Sequence, residues 1–198
     1  YRLLLRGYDL APISLREAGG DDHAPEETAD TFTGNALLKA RFYFARANLP
    51  TIADDGGLMV DALGGEPGVR SHRWLAGAAA ANVSHGDLDR ALAEEVVRRM
   101  AGVEPARRGA RLRAAAALVY HEHGRIHERV SEAALEGVVA DRVWPRMRAG
   151  FPYRAVLFLP DRGCYLGELS DQDAARVSQR RAALEGLRAD LIRIAGAR

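Results

Sequence analysis

The sequence predicts an α/β fold, and three observations carry that prediction. Residues 31–48 show a capping threonine followed by helical apolar periodicity. "TIAD", "GLMVDAL" and "AVLFLP" are short alternating or continuous apolar runs of the kind that form strands. Further amphipathic stretches lie between and after these runs, so helices and strands interleave along one chain. At 198 residues the chain suffices for a single well-cored domain spanning 1–198, with room for a lobe or flap but not for a second large domain.

The elements follow in order. Tyr1 to Arg6 is predicted helical and "LAPISL" (10–15) a short strand, before an acidic loop, "GGDDHAPEETAD" (19–30). In "TFTGNALLKARFYFARAN" (31–48), Thr31 caps the helix. Phe32, Ala36 and Ala40 form one stripe and Asn35, Lys39 and Tyr43 another. Gly34 stands where a capping-box glutamate would strengthen the start. "TIAD" and "GLMVDAL" are predicted as two strands, with Asp54 and Asp55 ending the first; in the second, Leu58, Val60 and Ala62 oppose Met59 and Asp61. "GAAAAN" (77–82) is a small-residue loop, and residues 87–102 form an amphipathic helix stopped by Gly102. Residues 110–124 and 125–140 read as two long strands joined at His123-Gly124. "AVLFLP" is a short strand closed by Pro160 and a "DRG" turn, and 171–194 is helical with a break near Val177-Ser178.

Bulk composition excludes several functional classes. The net charge of +1 supplies no field for nucleic acid or an anionic membrane. The chain is 47% apolar, no run approaches a membrane span, and no signal-peptide pattern opens it. A single cysteine, Cys164, forms no internal disulfide and indicates a reducing cytoplasm; it reads as a small, partly buried residue. Lys39 is the only lysine, beside 27 arginines.

Several constellations bear on chemistry. Glu26 and Glu27 precede the capped helix, and Asp54 and Asp55 follow an apolar run. Hard divalent cations such as magnesium take one or two carboxylates, with water and phosphate completing the shell. Lys39 and Asn35 would then face the phosphate. Solvated loop charges are the alternative for both acidic pairs. The glycine-rich "DDGGL…LGGEPGV" is neither a Walker loop nor a dinucleotide fingerprint, and suits tight turns and close backbone approach. His121 and His123 are expected on one strand face, as exposed imidazoles rather than as ligands with His127. The basic run 107–113 reads as a solvated loop and strand edge. Phe151 and Tyr153 flank a proline and would either stack a nucleobase or plug the core. Ser178 is a helix N-cap; Arg180, in the first turn, opposes the helix dipole unless it meets an anion or a base.

On these residues the chain resembles the inosine/xanthosine triphosphate pyrophosphatases. "EETADTFTGNALLKA" is similar to that family's E-x-G-x-T-F-x-x-N-A-x-x-K-A, and "ADDGGLMVDALGGEPGVRSHRW" to its A-D-D-S-G-L-x-V-D-A-L-G-G-x-P-G-x-x-S-A-R-Y. The resemblance implies an elongated α/β fold with a mixed sheet, flanking helices and two lobes around a cleft, usually a homodimer. It also implies magnesium-dependent hydrolysis of a nucleoside triphosphate to the monophosphate and pyrophosphate. Asp55 matches the proton acceptor and metal ligand, Glu27 a second metal carboxylate, and Asp54 their support. Asn35 and Lys39 match the phosphate side, with Gly56, Arg73, Phe151, Tyr153, Arg154, Ser178, Gln179 and Arg180 on the substrate side.

The departures are specific. The family's first strand and S/T-x-N-x-x-K phosphate loop would precede Tyr1. Gly56 replaces a serine. F-G-Y-D-P becomes Phe151-Pro152-Tyr153-Arg154-Ala155, a lysine position falls at Ala174, and S-H-R reads Ser178-Gln179-Arg180. Two expectations follow: an active pyrophosphatase with altered or relaxed base preference, or a degenerate paralogue that serves as a nucleotide-binding or partner subunit.

Overall fold

The computed structural model describes residues 1–18, 23–71, 73–75 and 85–196. The small-residue loop expected at 77–82 lies outside these, as do residues 19–22 of the acidic loop. The order of elements is α1 (Phe32–Ala47), β1 (Thr51–Val60), α2 (His85–Arg99), β2 (Gly109–Glu122), β3 (Arg125–Val139), β4 (Leu157–Leu159), β5 (Cys164–Tyr165), α3 (Asp171–Arg176), α4 (Gln179–Glu185) and α5 (Arg188–Gly196). The α/β class is thus observed. The strands form one sheet in chain order, β1-β2-β3-β4-β5, and β3/β4 and β4/β5 pair antiparallel.

The chain divides into two compact units. The first comprises residues 1–56, 114–133 and 177–198. Its start is a series of turns rather than a helix: the Leu5 N–H donates to the Tyr1 carbonyl at 2.9 Å, but no helix follows. Nor is 10–15 a strand. Pro12 offers no N–H, and Ser14 binds the Glu17 carboxylate through its backbone N–H and its hydroxyl, at 2.7 and 2.8 Å, which turns the chain. Helix α1 starts as expected, with the Thr31 hydroxyl accepting from Gly34 N–H. Gly34 is required there, since a Cβ would stand 2.6 Å from that of Ala29. Phe32, Ala36, Ala40 and Phe44 are the buried stripe.

Every residue from Ala114 to Tyr120 in β2 is buried. Alanine favours helices, yet small side chains suit a strand covered on both faces. His123 (φ 49°) and Gly124 (φ 74°) are both left-handed, the geometry of a two-residue hairpin turn into β3. His123 has therefore left the strand and shares no face with His121, whose ring lies 5.0 Å from Phe44; His127 stacks on Tyr120 at 5.3 Å. Leu118 and Tyr120 pack with Leu184, Leu187 and Leu191 from the C-terminal helices, and with Leu5 and Tyr8. The expected break at Val177-Ser178 separates α3 from α4, and a second separates α4 from α5 at Gly186, where a Cβ would lie 2.0 Å from Ser131 Oγ.

The second unit comprises residues 57–113 and 134–176. Helix α2 buries Leu92, Ala93 and Val96 and packs on the 3-10 turn Pro152–Ala155, while Asp89 accepts from Gly150 N–H at 2.5 Å. Residues 61–63 form a 3-10 turn instead of continuing a strand, and Gly64 and Gly65 carry the chain onward with positive φ. The basic run holds a surprise at Arg108. Its guanidinium is buried and donates to the carbonyls of Val139, Met100 and Ala140 at 2.7, 3.0 and 2.8 Å. This arginine is a core cross-brace, not a solvated charge.

Candidate active site

The two adjacent aspartates stand in the middle of a strand rather than at its end. The apolar runs on either side of Gly56-Gly57 belong to one strand, β1. Successive side chains of a strand project to opposite faces, so Asp54 and Asp55 serve different surroundings.

Asp55 faces α1. Lys39 Nζ donates to Asp55 Oδ1 at 3.0 Å and to Glu27 Oε1 at 2.9 Å, joining two carboxylates through one ammonium. Asn35, one turn earlier and fully buried, donates from Nδ2 to Asp55 Oδ2 at 3.2 Å, and its Oδ1 accepts from Ala29 N–H at 2.9 Å. Asn35 thereby ties the loop carrying Glu27 to the strand carrying Asp55. The i, i+4 stripe read from the sequence is the one that meets the acids.

The side chains of Asp55 and Lys39 are only 12% and 16% exposed, so their charges act through little water. Burial pushes the Asp55 carboxyl above the usual aspartate range; Lys39 pulls against that shift and the Glu27 carboxylate adds to it. For Lys39, burial alone would weaken the ammonium, but Glu27 and Asp55 together outweigh it and hold the group above the usual lysine range.

Asp54 has other partners. Tyr1 Oη donates to its Oδ1 at 2.5 Å and Arg180 Nε to its Oδ2 at 2.6 Å. Burial first, and then Asp54, push the Tyr1 phenol well above the usual tyrosine value, so it remains a donor. Arg180 sits in the first turn of α4, where the Ser178 hydroxyl accepts from Arg181 N–H at 3.4 Å and Gln179 is buried. Asp54 is thus held by Tyr1 and Arg180, whereas Glu27 and Asp55 share the Lys39 ammonium. Sequence reasoning missed Tyr1 altogether, because nothing local marks a partner 53 residues away.

The remaining expected residues divide between the two units. Gly56 follows Asp55 in β1. In the second unit Arg73 is exposed on a turn, its backbone N–H donating to Arg70 at 2.7 Å. Phe151 is 40% exposed, with the Arg154 guanidinium 5.4 Å from its ring. Tyr153 is buried, and its hydroxyl donates to the Ser71 carbonyl at 2.5 Å. Of the two aromatics offered for stacking, Tyr153 is a core residue.

The Ham1 family's sequence profile matches residues 2–190. The chain belongs to the Ham1 family. Among curated relatives, the dITP/XTP pyrophosphatase of Symbiobacterium thermophilum is 40% identical over 88% of this chain and 82% of its own length. That of Bacillus subtilis is 35% identical over 92% of this chain and 84% of its own. Among solved structures, a Ham1 protein from Coxiella burnetii superposes with a TM-score of 0.76 at 29% identity, covering 96% of this chain and 90% of that one. The Staphylococcus aureus Ham1 protein gives 0.70 at 29% identity, over 86% and 81%.

Magnesium, the cofactor that the sequence resemblance implies, can be tested against this Ham1 chain's own donors. Among the described residues there is no cluster of three or more acidic, histidine or cysteine side chains suited to a metal. Glu27 and Asp55 are two hard carboxylates that already converge on one cation, the Lys39 ammonium. Two carboxylates, with water and phosphate oxygens for the rest, is a donor set magnesium accepts. The pair fits.

Proposed function

We propose that this chain is a magnesium-dependent nucleoside triphosphate pyrophosphatase that converts non-standard purine triphosphates to the monophosphate and pyrophosphate. The observation that carries this reading is the convergence of Glu27, Lys39 and Asp55, clamped by Asn35, in a chain whose relatives are named dITP/XTP pyrophosphatases.

In this reading a water oxygen attacks the α-phosphorus, the bond to the bridging α–β oxygen breaks, and pyrophosphate departs with that oxygen. Asp55 accepts the proton that the water gives up. Its raised affinity for a proton suits that task better than an exposed aspartate would. Asn35 keeps the carboxylate oriented through its second oxygen, and the Lys39 ammonium is a compact positive charge for phosphate oxygens. Magnesium held by Glu27 and Asp55 would add Lewis-acid polarisation of the phosphate and orientation of the reacting groups.

Base preference is relaxed or altered in this proposal, since the lysine, histidine and aspartate of the resembling motifs are Ala174, Gln179 and Arg154. The enzyme would act on free nucleotide in the cytoplasm as a homodimer, a state that light scattering on the purified protein reads directly.

The decisive assay is pyrophosphate release with magnesium across purine and pyrimidine triphosphates. Asp55→Asn should lower the rate by about 10²-fold or more, the usual worth of a positioned base, with the circular dichroism spectrum unchanged. A variant within a few-fold of wild type removes Asp55 from the mechanism. Nucleotide binding without turnover of any triphosphate selects the degenerate-subunit reading instead.

A further inference from the structure

We propose that Lys39 is an exchangeable counter-ion: its ammonium binds the same two carboxylates that magnesium would use, so that magnesium and a polyphosphate bind this chain together far more tightly than either does alone. The proposal rests on the preceding reading, in which Glu27 and Asp55 hold the metal and Lys39 meets phosphate.

The cluster is built unevenly, and that unevenness points to exchange rather than to a fixed brace. Lys39 Nζ donates to Glu27 Oε1 at 2.9 Å and to Asp55 Oδ1 at 3.0 Å, so a single positive charge answers a pair of negative ones. A dication would balance the pair more fully. Asp55 is anchored independently of the lysine. Its other oxygen accepts from Asn35 Nδ2 at 3.2 Å, and Asn35 is buried and tied through its own oxygen to Ala29 N–H at 2.9 Å. Lys39 has no such second anchor. Among the described residues, Glu27 and Asp55 are its only hydrogen-bond partners, and its four-carbon stem lets the head swing away.

Enclosure makes the exchange a coupled one. The side chains of Lys39, Asp55 and Glu27 are 16%, 12% and 34% exposed, so charges here are weakly screened. An ammonium and a magnesium ion on the same carboxylate oxygens would stand close together and repel. If magnesium alone displaced the ammonium, a charge would be left partly desolvated without a partner, and such charges are costly. Phosphate oxygens supply that partner. A polyphosphate alone faces the converse cost, since drawing Lys39 off leaves two carboxylates unanswered. Each ligand removes the penalty that the other meets. Linkage is reciprocal, so the factor by which polyphosphate tightens magnesium is the factor by which magnesium tightens polyphosphate.

The test uses the full chain with magnesium and inorganic tripolyphosphate as probes. Lys39 is the only lysine, so labelling with isotopic lysine gives one side-chain signal by NMR. Both probes together should move that signal to a new position, while either one at the same concentration should leave most of the protein in the original one. Calorimetry then compares magnesium binding in wild type, Lys39→Met and Arg41→Gln. Lys39→Met should bind magnesium alone about tenfold or more tightly than wild type, because nothing has to be displaced. Arg41→Gln removes a charge from the same helix at an exposed position and should stay within about twofold, which separates competition for the carboxylates from a general field effect. The tightening of magnesium by tripolyphosphate should be about tenfold larger in wild type than in Lys39→Met; association of the two probes in solution is common to both proteins and cancels. Magnesium affinity in Lys39→Met equal to or weaker than that of wild type would overturn the proposal. So would a lysine signal that stays in place with both probes bound, a measurement that stands even where Lys39→Met folds poorly. Neither readout needs turnover. Exchange without pyrophosphate release from any triphosphate would sink the hydrolase reading alone, and an absence of magnesium binding with or without tripolyphosphate would sink the exchange.

Discussion

Lys39 is the residue whose chemistry is least replaceable. Its Nζ stands 2.9 Å from Glu27 and 3.0 Å from Asp55, a spacing that one small ammonium fills and a planar guanidinium does not. Lys39→Arg should therefore raise KM for a triphosphate by about tenfold while moving the melting temperature little, since charge and pairing survive. Equal KM would return Lys39 to a structural counter-ion. A second residue-scale prediction concerns Gly57, where a Cβ would stand 2.0 Å from Ser71 Oγ and 2.6 Å from the Gly68 carbonyl oxygen. Ser71 Oγ itself accepts from Leu58 N–H at 3.1 Å and donates to that carbonyl at 2.6 Å, so it has no free path aside. Gly57→Ala should cost about 1–3 kcal/mol of stability, read by urea unfolding; an unchanged midpoint would show that the loop yields. At this scale the Asn35–Lys39 stripe was legible from its i, i+4 spacing, and it meets Glu27 and Asp55, whose roles only the family resemblance implied. The Asp54 partners were not. Arg180 lies 126 residues away, and neither composition nor periodicity carries a pairing of that range.

Among the elements, those with local signals were the most readable: the capped helix α1 and the long strands β2 and β3 on either side of His123-Gly124. Thr31 and the apolar stripe fixed α1 within a residue because capping and 3.6-residue periodicity are local. Gly56-Gly57 resembles a turn and so divides strand β1 in two in the sequence; the glycines remain in the strand, where Gly57 admits the close approach of Ser71. Tyr153 was open between stacking and core for a similar reason, its answer lying in the Ser71 carbonyl. Helix α2 offers a test of charge at its own scale. Glu95 binds Arg98 and Arg99, and its carboxyl is pulled from 4.5 down to about 2, by Arg98 foremost, against a smaller opposing effect of burial, with Arg99 adding to the pull. A folded value below the unfolded one gives stability that is present above 4.5 and lost as pH falls towards about 2. The difference in melting temperature between wild type and Glu95→Gln should thus be steady near neutrality and close across that window. A difference that is independent of pH would show that the glutamate acts by packing rather than by charge.

At the scale of the whole molecule, the proposed function predicts weak sorting of one base from another. A site that hydrogen-bonds a 6-oxo purine discriminates because the wrong base leaves buried polar groups unpaired. Each charge-assisted hydrogen bond of that sort is worth about 1.5–3 kcal/mol. In the first unit Gln179 replaces the histidine, and Ala174, in the second, replaces the lysine; both are buried. Tyr153 has spent its hydroxyl on Ser71, and Arg154 lies beside the Phe151 ring, 5.4 Å from its centre. In the proposed reading few charge-assisted hydrogen bonds are therefore left to separate one base from another. The ratio of kcat/KM for inosine over adenosine triphosphate should accordingly reflect about one such hydrogen bond, on the order of tenfold to a hundredfold, rather than the product of several. Guanosine triphosphate also carries a 6-oxo group, and should be separated from inosine triphosphate by less than that. Competition assays with mixed triphosphates measure both ratios at once. A preference of several thousandfold for inosine or xanthosine triphosphate would mean that Arg154 or Gln179 supplies a new polar contact in place of the lost ones. Arg154→Ala and Gln179→Ala would then show which, by the collapse of that preference.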